Sequence, residues 1–170
     1  MQIDIIEDDP RWTALTLPGL AEAAAIATFA RLGIDADGCT LSLLACDDAR
    51  IAELNAEFRG KPQPTNVLSW PAADLAAADP GAVPAAPEPD FAGETELGDI
   101  AIAWETCARE AETAGKPMAD HVTHLLVHGL LHLLGYDHVR DPDATLMERL
   151  EVEILGRLGL DDPYRDRTGP

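Results

Sequence analysis

Three histidines in the segment HGLLHLLGYDH, residues 128–138, have a spacing typical of metal ligands. His128 and His132 are four residues apart, so on a helix they lie one turn above each other, about 6 Å along the axis, and both imidazoles can reach one ion. Gly135 is a natural end for that helix, after which a loop can bring His138 back to the same ion. Three nitrogen ligands leave one coordination position open for water, as in a catalytic zinc site.

The remaining histidines, His121 and His124, lie on the same predicted helix. His124 is two turns from His132, roughly 12 Å, so the two cannot share an ion. The helix is apolar on nearly every side, and polar rings placed there need partners. One metal ion would satisfy the rings of His128, His132 and His138, whereas His121 and His124 are expected to be hydrogen-bonded core residues.

Gly129 restricts the chemistry of such a site. Zinc peptidases with this histidine spacing carry a glutamate directly after the first histidine, where it acts as the base. Phosphodiester cleavage instead needs an activated nucleophile and cations that balance charge on the non-bridging oxygens. Arg59 is a candidate for that cation because guanidinium matches phosphate geometry, although an ordinary surface arginine after a helix is the alternative. Lys61 and Arg50 are candidates for local positive charge, and Asp137 is a base, a residue that orients a ligand, or a turn residue.

Hydrophobic periodicity and capping residues divide the chain into strands and helices. Strands are predicted at 2–6, 40–45, 65–70 and 97–104, and helices at 17–32, from Asp47 through Phe58, from about 105 to 115, at 117–135 and from Asp141 onward. This order predicts an α+β (mixed α/β) fold with a small, partly parallel sheet.

Composition predicts a single domain over residues 1–170 with a flexible acidic insertion at about 71–96. That insertion has five prolines, six acids and no lysine or arginine. The net charge of −19 repels nucleic acid at long range, so an RNA-binding function would need a focused cationic cleft. Three cysteines without a C-x-x-C pair, an acidic N-terminus and the lack of an apolar run of about 20 residues favour a cytoplasmic protein with no membrane contact.

Three blocks of the chain, in the same order, resemble the motifs of one known family. HGLLHLLGYDH is similar to H-G-x-L-H-L-x-G-Y-D-H, the signature of the YbeY family of bacterial endoribonucleases and rRNA maturation factors. NAEFRGKPQPTNVLSWP, residues 55–71, and ELGDIAIAWE, residues 96–105, resemble two further motifs of that family. Trp70 stands where the family usually has phenylalanine, and the segment 71–96 is generally shorter in the family.

The resemblance implies a small, mostly parallel sheet with one antiparallel strand, flanked by helices that include a zincin-like metal helix. It also implies a metal-dependent endoribonuclease specific for single-stranded RNA. It would act in rRNA maturation, at the 3′ end of small-subunit rRNA, and in ribosome quality control. One Zn2+ per chain would be held by His128, His132 and His138, with Arg59 as a catalytic residue near the metal. The implied partners are rRNA and the small ribosomal subunit with its assembly proteins.

Two alternative functions remain open at this point. One is a zinc metallopeptidase, which the absence of a glutamate at position 129 disfavours. The other is a non-catalytic ribosome assembly factor whose metal only stabilises the fold. A coordination position left open for water would favour catalysis, and a fourth protein ligand would favour a structural role.

Overall fold

A four-stranded sheet forms the centre of the protein. The computed structural model describes residues 1–164, and residues 165–170 of the predicted domain lie outside that range. The strands are β1 (Gln2–Glu7), β2 (Cys39–Cys46), β3 (Val67–Pro71) and β4 (Thr95–Ala103), in the spatial order β1-β2-β4-β3. β2 is parallel to β1 and to β4, and β3 is antiparallel to β4. The predicted fold class is confirmed, including its single antiparallel strand.

Helices cover both faces of the sheet. They are α1 (Leu17–Leu32), α2 (Asp48–Arg59), α3 (Trp104–Ala114), α4 (Met118–Leu133) and α5 (Asp141–Arg157). Alternate residues of β4 point to opposite faces, so Ile100 joins the core under α1, α4 and α5, while Ala101 joins the core under α2. No helix within residues 1–164 is both long enough and apolar enough to cross a membrane.

Two local features shape the elements on either side of β2: a capping residue after it and a short 3-10 helix before it. Asp47 caps α2, as predicted, because its side chain accepts the backbone N–H of Arg50 at 2.8 Å. A short 3-10 helix, Pro10–Leu15, precedes α1 and is not indicated by the hydrophobic periodicity. It buries Trp12, whose Nε1 donates to the carbonyl oxygen of Cys46 at 2.9 Å. The indole thereby attaches the β1–α1 connection to the end of β2.

α4 lies close to the sheet at Gly129. A Cβ atom at this position would lie 3.1 Å from Ile100 Cδ1 and 3.3 Å from Ser69 Oγ. The missing side chain therefore lets the helix approach β3 and β4. That close approach brings His128, the preceding residue, to the cleft beside the edge strand β3.

The segment between β3 and β4 has no regular secondary structure. Residues 72–94, all of them described, form no helix or strand. Pro71, Thr95 and Glu96, at the two ends of the predicted insertion, belong to β3 and β4. The flexibility of the insertion stays a prediction.

Candidate metal centre

The three histidines of the HGLLHLLGYDH segment meet at one point. His128 and His132 lie one turn apart on α4, with their Nε2 atoms 3.1 Å apart. His138 comes from the loop after α4, and its ring centroid lies 5.5 Å from that of His128 and 5.1 Å from that of His132. One ligand atom from each residue lies within 4.8 Å of the others. The three residues therefore form a group able to hold a metal ion.

Gly135 allows the chain to turn so that His138 can return to the cluster. Its N–H donates to the carbonyl oxygen of His132 at 3.1 Å, which closes the helix end. Its φ is +100°, a conformation that side chains of L-residues rarely adopt. A Cβ atom here would also come within 2.8 Å of Pro84 Cβ. The turn needs glycine because L-residues rarely adopt this backbone conformation and because there is no space for a side chain.

The donor set fits a zinc ion. Burial lowers the pKa of His132 to about 4, so this ring is a neutral ligand at physiological pH. A tetrahedral zinc with Zn–N bonds of about 2.0–2.1 Å separates its ligand nitrogens by about 3.3 Å. The 3.1 Å between the Nε2 atoms of His128 and His132 is close to that spacing. His138, with 58% of its side chain exposed, completes the set from the loop.

A buried carboxylate lies behind His128. Glu151 of α5 is fully buried, and its Oε1 lies 2.5 Å from His128 Nδ1. Its Oε2 lies 3.1 Å from His124 Nε2 and accepts a hydrogen bond from Tyr164 Oη. Burial opposes ionisation of Glu151, but the hydrogen bonds it accepts outweigh that effect and lower its pKa to about 2. An ionised carboxylate only accepts, so His128 carries its proton on Nδ1 and leaves the Nε2 lone pair free for a metal.

His121 and His124 lie outside the cluster. His124 is bonded to Glu151, and the Nε2 of His121 lies 2.9 Å from Glu110 Oε1 on α3. The same carboxylate oxygen accepts from Asn66 Nδ2 at 3.0 Å. His121 thus links α4 to α3 and to the residue before β3. Both residues are hydrogen-bonded and partly buried, in agreement with the sequence-based expectation.

Arg59 lies in the same cleft as the three histidines. The cleft has a volume of about 580 Å³ and is also lined by Val67 and Ser69 of β3 and by residues 71–76. Arg59 is the last residue of α2 and is exposed. Its side chain has no hydrogen bond or ion pair with any residue of the range 1–164. The guanidinium is therefore available to an anionic ligand in this cleft.

The other charged candidates occupy different positions. Asp137 lines the cleft, and its Oδ1 accepts the backbone N–H of His138 at 2.7 Å. Arg50 pairs with Glu53 at 3.0 Å and does not line the cleft. Lys61 does not line it either, so among the described residues Arg59 is the one arginine or lysine in the lining.

Residues 72–76 line one side of the cleft, and the segment 72–85 to which they belong is attached to the start of α5. The guanidinium of Arg140 donates to two consecutive carbonyl oxygens of the segment, each at 2.9 Å. Asp143 pairs with Arg140 at 2.5 Å, and its Oδ1 accepts the N–H of Gly81 at 2.8 Å. Composition predicts a solvated loop for the acidic segment as a whole. These contacts hold residues 77–81 of that segment against the start of α5.

Sequence reasoning missed Glu151, Tyr164 and Arg140. A signal for Glu151 was present, because Met147, Glu151 and Leu155 recur at intervals of four and place an acid on the buried face of α5. Tyr164 and Arg140 offered no such signal, since they lie outside the helices that they contact.

The fold and the histidine cluster define a small α+β protein with a helix whose histidines could hold a metal ion. Comparison with known proteins narrows this class. The family profile described as "Endoribonuclease YbeY" matches residues 11–159. The chain belongs to this family, as its three motifs predict.

Individual relatives agree over nearly the whole chain. It is 68% identical over 164 residues to the Endoribonuclease YbeY of Ruegeria pomeroyi, and the matched region covers 96% of this chain and 98% of that protein. It is 61% identical over 164 residues to the Endoribonuclease YbeY of a Jannaschia species, which covers 96% of this chain and 100% of that protein. The solution structure of TM1509 from Thermotoga maritima has a TM-score of 0.55 and 21% identity, covers 92% of this chain and 91% of that one, and supports the fold alone.

Proposed function

We propose that this protein is a zinc-dependent endoribonuclease that cleaves single-stranded RNA in the cytoplasm. Its targets would be rRNA at the 3′ end of the small-subunit RNA, and its roles rRNA maturation and ribosome quality control. Its partners would be the small ribosomal subunit and its assembly proteins. Family membership supports RNA as the substrate. The observation that carries the chemistry is the placement of Arg59, free of any partner within residues 1–164, in the cleft of the three histidines.

Each part of the cleft has a task that this reaction needs. His128, His132 and His138 would hold one Zn2+, which when bound supplies Lewis acidity and a means of activating water. Arg59 would bind the non-bridging oxygens of the scissile phosphate through two N–H groups, a contact that strengthens as charge develops in the transition state. Asp137 would keep the loop that carries His138 in place through the backbone N–H that it accepts.

The distribution of charge supports a preference for single strands. The chain has a net charge of −19, and Arg59 is the one cationic side chain that lines the cleft within the described residues. A single strand can present one phosphate to Arg59 and bend away from the acidic surface. A duplex is stiffer and brings more phosphates against that surface, where repulsion opposes binding.

The peptidase alternative is not supported by the structure around Gly129. This residue has no carboxylate, and a Cβ atom there would already lie 3.1 Å from Ile100 Cδ1. A larger side chain at this position would have to displace Ile100 or Ser69, and residue 129 itself supplies no base of the peptidase type.

The proposal is tested with purified protein on a single-stranded RNA, on the same RNA as a duplex, and on casein, with zinc content measured in each sample. We expect cleavage of the single strand, loss of cleavage on chelation, and recovery on addition of Zn2+. RNA left uncut by the zinc-loaded protein would contradict the proposal and favour a non-catalytic assembly factor. Cleavage of casein would favour a peptidase.

Variants of Arg59 test its role separately from the metal. Arg59→Ala should leave the fold and zinc content unchanged and lower kcat on the order of a hundredfold, because one contact to the developing charge is lost. Arg59→Lys should recover part of the rate, since a point charge cannot reproduce the planar two-pronged contact. Arg50→Ala is the matched control on the same helix, outside the cleft lining. A zinc-loaded Arg59→Ala protein with the parent rate would show that Arg59 is an ordinary surface arginine.

A further inference from the structure

We propose that Glu151 is a positioning residue of the metal site, which orients the ring of His128 so that Nε2 faces the ion. The inference rests on the zinc site of the proposed function and not on RNA cleavage. Its basis is the 2.5 Å contact between His128 Nδ1 and Glu151 Oε1 in a fully buried environment.

His128 differs from the other two histidines in how its second nitrogen is held. The Nδ1 of His138 lies 3.8 Å from Asp137, and both of those side chains are at least half exposed. The second nitrogen of His132 makes no hydrogen bond within residues 1–164. His128 is therefore the ligand whose ring orientation is set by a buried charged partner.

The carboxylate of Glu151 is itself held from three directions. His124 and His128 approach it from consecutive turns of α4, one at each oxygen, and Tyr164 approaches from the chain after α5. Turning the carboxylate away would leave these partly buried donors without an acceptor, which is costly. Turning the His128 ring over would place a carbon against Oε1 and leave the buried charge with one partner fewer. Both groups are thus restricted to one arrangement.

This arrangement has a direct consequence for metal binding. A histidine whose Nδ1–H is bound to a carboxylate keeps its Nε2 unprotonated and is a more basic ligand. Losing a partner of this kind typically weakens metal binding by about 10- to 100-fold. Glu151→Gln keeps the shape and one oxygen acceptor but loses the charge, so we expect zinc binding to be about tenfold weaker. Glu151→Leu removes both acceptors, so we expect a loss nearer to a hundredfold.

Two measurements test the inference. Long-range 1H–15N NMR of the metal-free protein should show His128 with its proton on Nδ1 in the parent, and a mixture of both tautomers in Glu151→Leu. Competition with a chromogenic chelator should give zinc dissociation constants in the order parent, Glu151→Gln, Glu151→Leu. Glu153→Gln is the matched control, because it makes the same chemical change two residues along α5, at a partly exposed position paired with Arg31. The control should match the parent in both measurements.

The inference is overturned if His128 of the parent carries its proton on Nε2, or if Glu151→Gln binds zinc as tightly as the parent. Glu151→Gln decides the affinity test if Glu151→Leu does not fold, because glutamine has the same shape as glutamate. Neither readout depends on RNA. The expected tautomer and affinities together with uncut RNA would therefore refute the proposed function alone.

Discussion

Replacing Gly135 by alanine tests whether the cleft wall is fixed against the turn that carries His138. Gly135 has a φ of +100°, and a Cβ atom there would lie 2.8 Å from Leu75 C and 2.8 Å from Pro84 Cβ. Gly33, which follows α1, is the matched control. Its φ is +67°, and a Cβ atom at that position would meet nothing within 4 Å.

The difference between the two variants reports the contact with the wall together with the extra backbone strain at Gly135. Forcing an L-residue into the left-handed region costs about 1–2 kcal/mol, which Gly33→Ala bears, and the φ of +100° at Gly135 lies beyond that region and costs at least as much. Overlap with packed neighbours typically adds about 1–3 kcal/mol, and only Gly135→Ala bears it. We therefore expect a loss of about 1–2 kcal/mol for Gly33→Ala and of about 2–5 kcal/mol for Gly135→Ala.

The same overlap should reach the metal site. Relief requires that either the wall or the turn moves, and a shift of the turn moves His138 away from the other two histidines. Urea unfolding of the metal-free proteins, followed by circular dichroism, gives the two stabilities, and chelator competition gives the zinc affinities. We expect weaker zinc binding in Gly135→Ala alone. Equal stability losses with unchanged zinc affinity would refute the reasoning and show that the wall yields freely, as a flexible insertion would.

Three further changes test separate parts of the structure. His138→Ala should lower zinc content and stability together, because metal binding couples to folding, whereas His121→Ala should keep its zinc; full zinc occupancy in His138→Ala would rule out the three-ligand site. Deleting residues 86–89, which make no hydrogen bond within the described range, should shift the urea midpoint little, and a loss above about 1 kcal/mol would mean that this part of the insertion is packed. Gly98→Ala should destabilise the sheet strongly, because Gly98 has a φ of +132° and a Cβ atom there would lie 2.1 Å from a carbonyl oxygen of β3. The control Gly19→Ala, in open space on α1, should gain about 0.5–1 kcal/mol of stability. A Gly98→Ala protein as stable as the parent in urea would contradict the close approach of β3 to β4.

The helix that carries His128 and His132, and the return of His138 to them, could be predicted from the sequence because their geometry is local. The four-residue spacing of His128 and His132 fixes their relative direction wherever a helix forms, and the apolar residues between them make the helix. Gly135 then predicts the turn after which His138 returns. The same local rules predict the elements of the sheet and the cap at Asp47, so the fold class followed from their order.

Tertiary structure decided which residues from different elements meet. β4 lies between β2 and β3, an order that periodicity does not encode, and this order places the end of α2, with Arg59, at the cleft of the histidines. The contact of Glu151 with His128 joins residues on different helices. Its signal, an acid on a buried face, predicts a partner but does not identify it.

In the acidic segment, the sequence predicts the kind of local structure and the tertiary structure decides where that segment lies. Its prolines, acids and lack of apolar periodicity predict a loop, since such a composition buries too little surface to form a core of its own. Its place as a wall of the cleft depends on Arg140, more than fifty residues further along the chain, which binds backbone carbonyl oxygens of the segment. Every residue has a carbonyl oxygen, so the sequence does not indicate where such a contact forms. Only the packing of α5 beside α4 determines it.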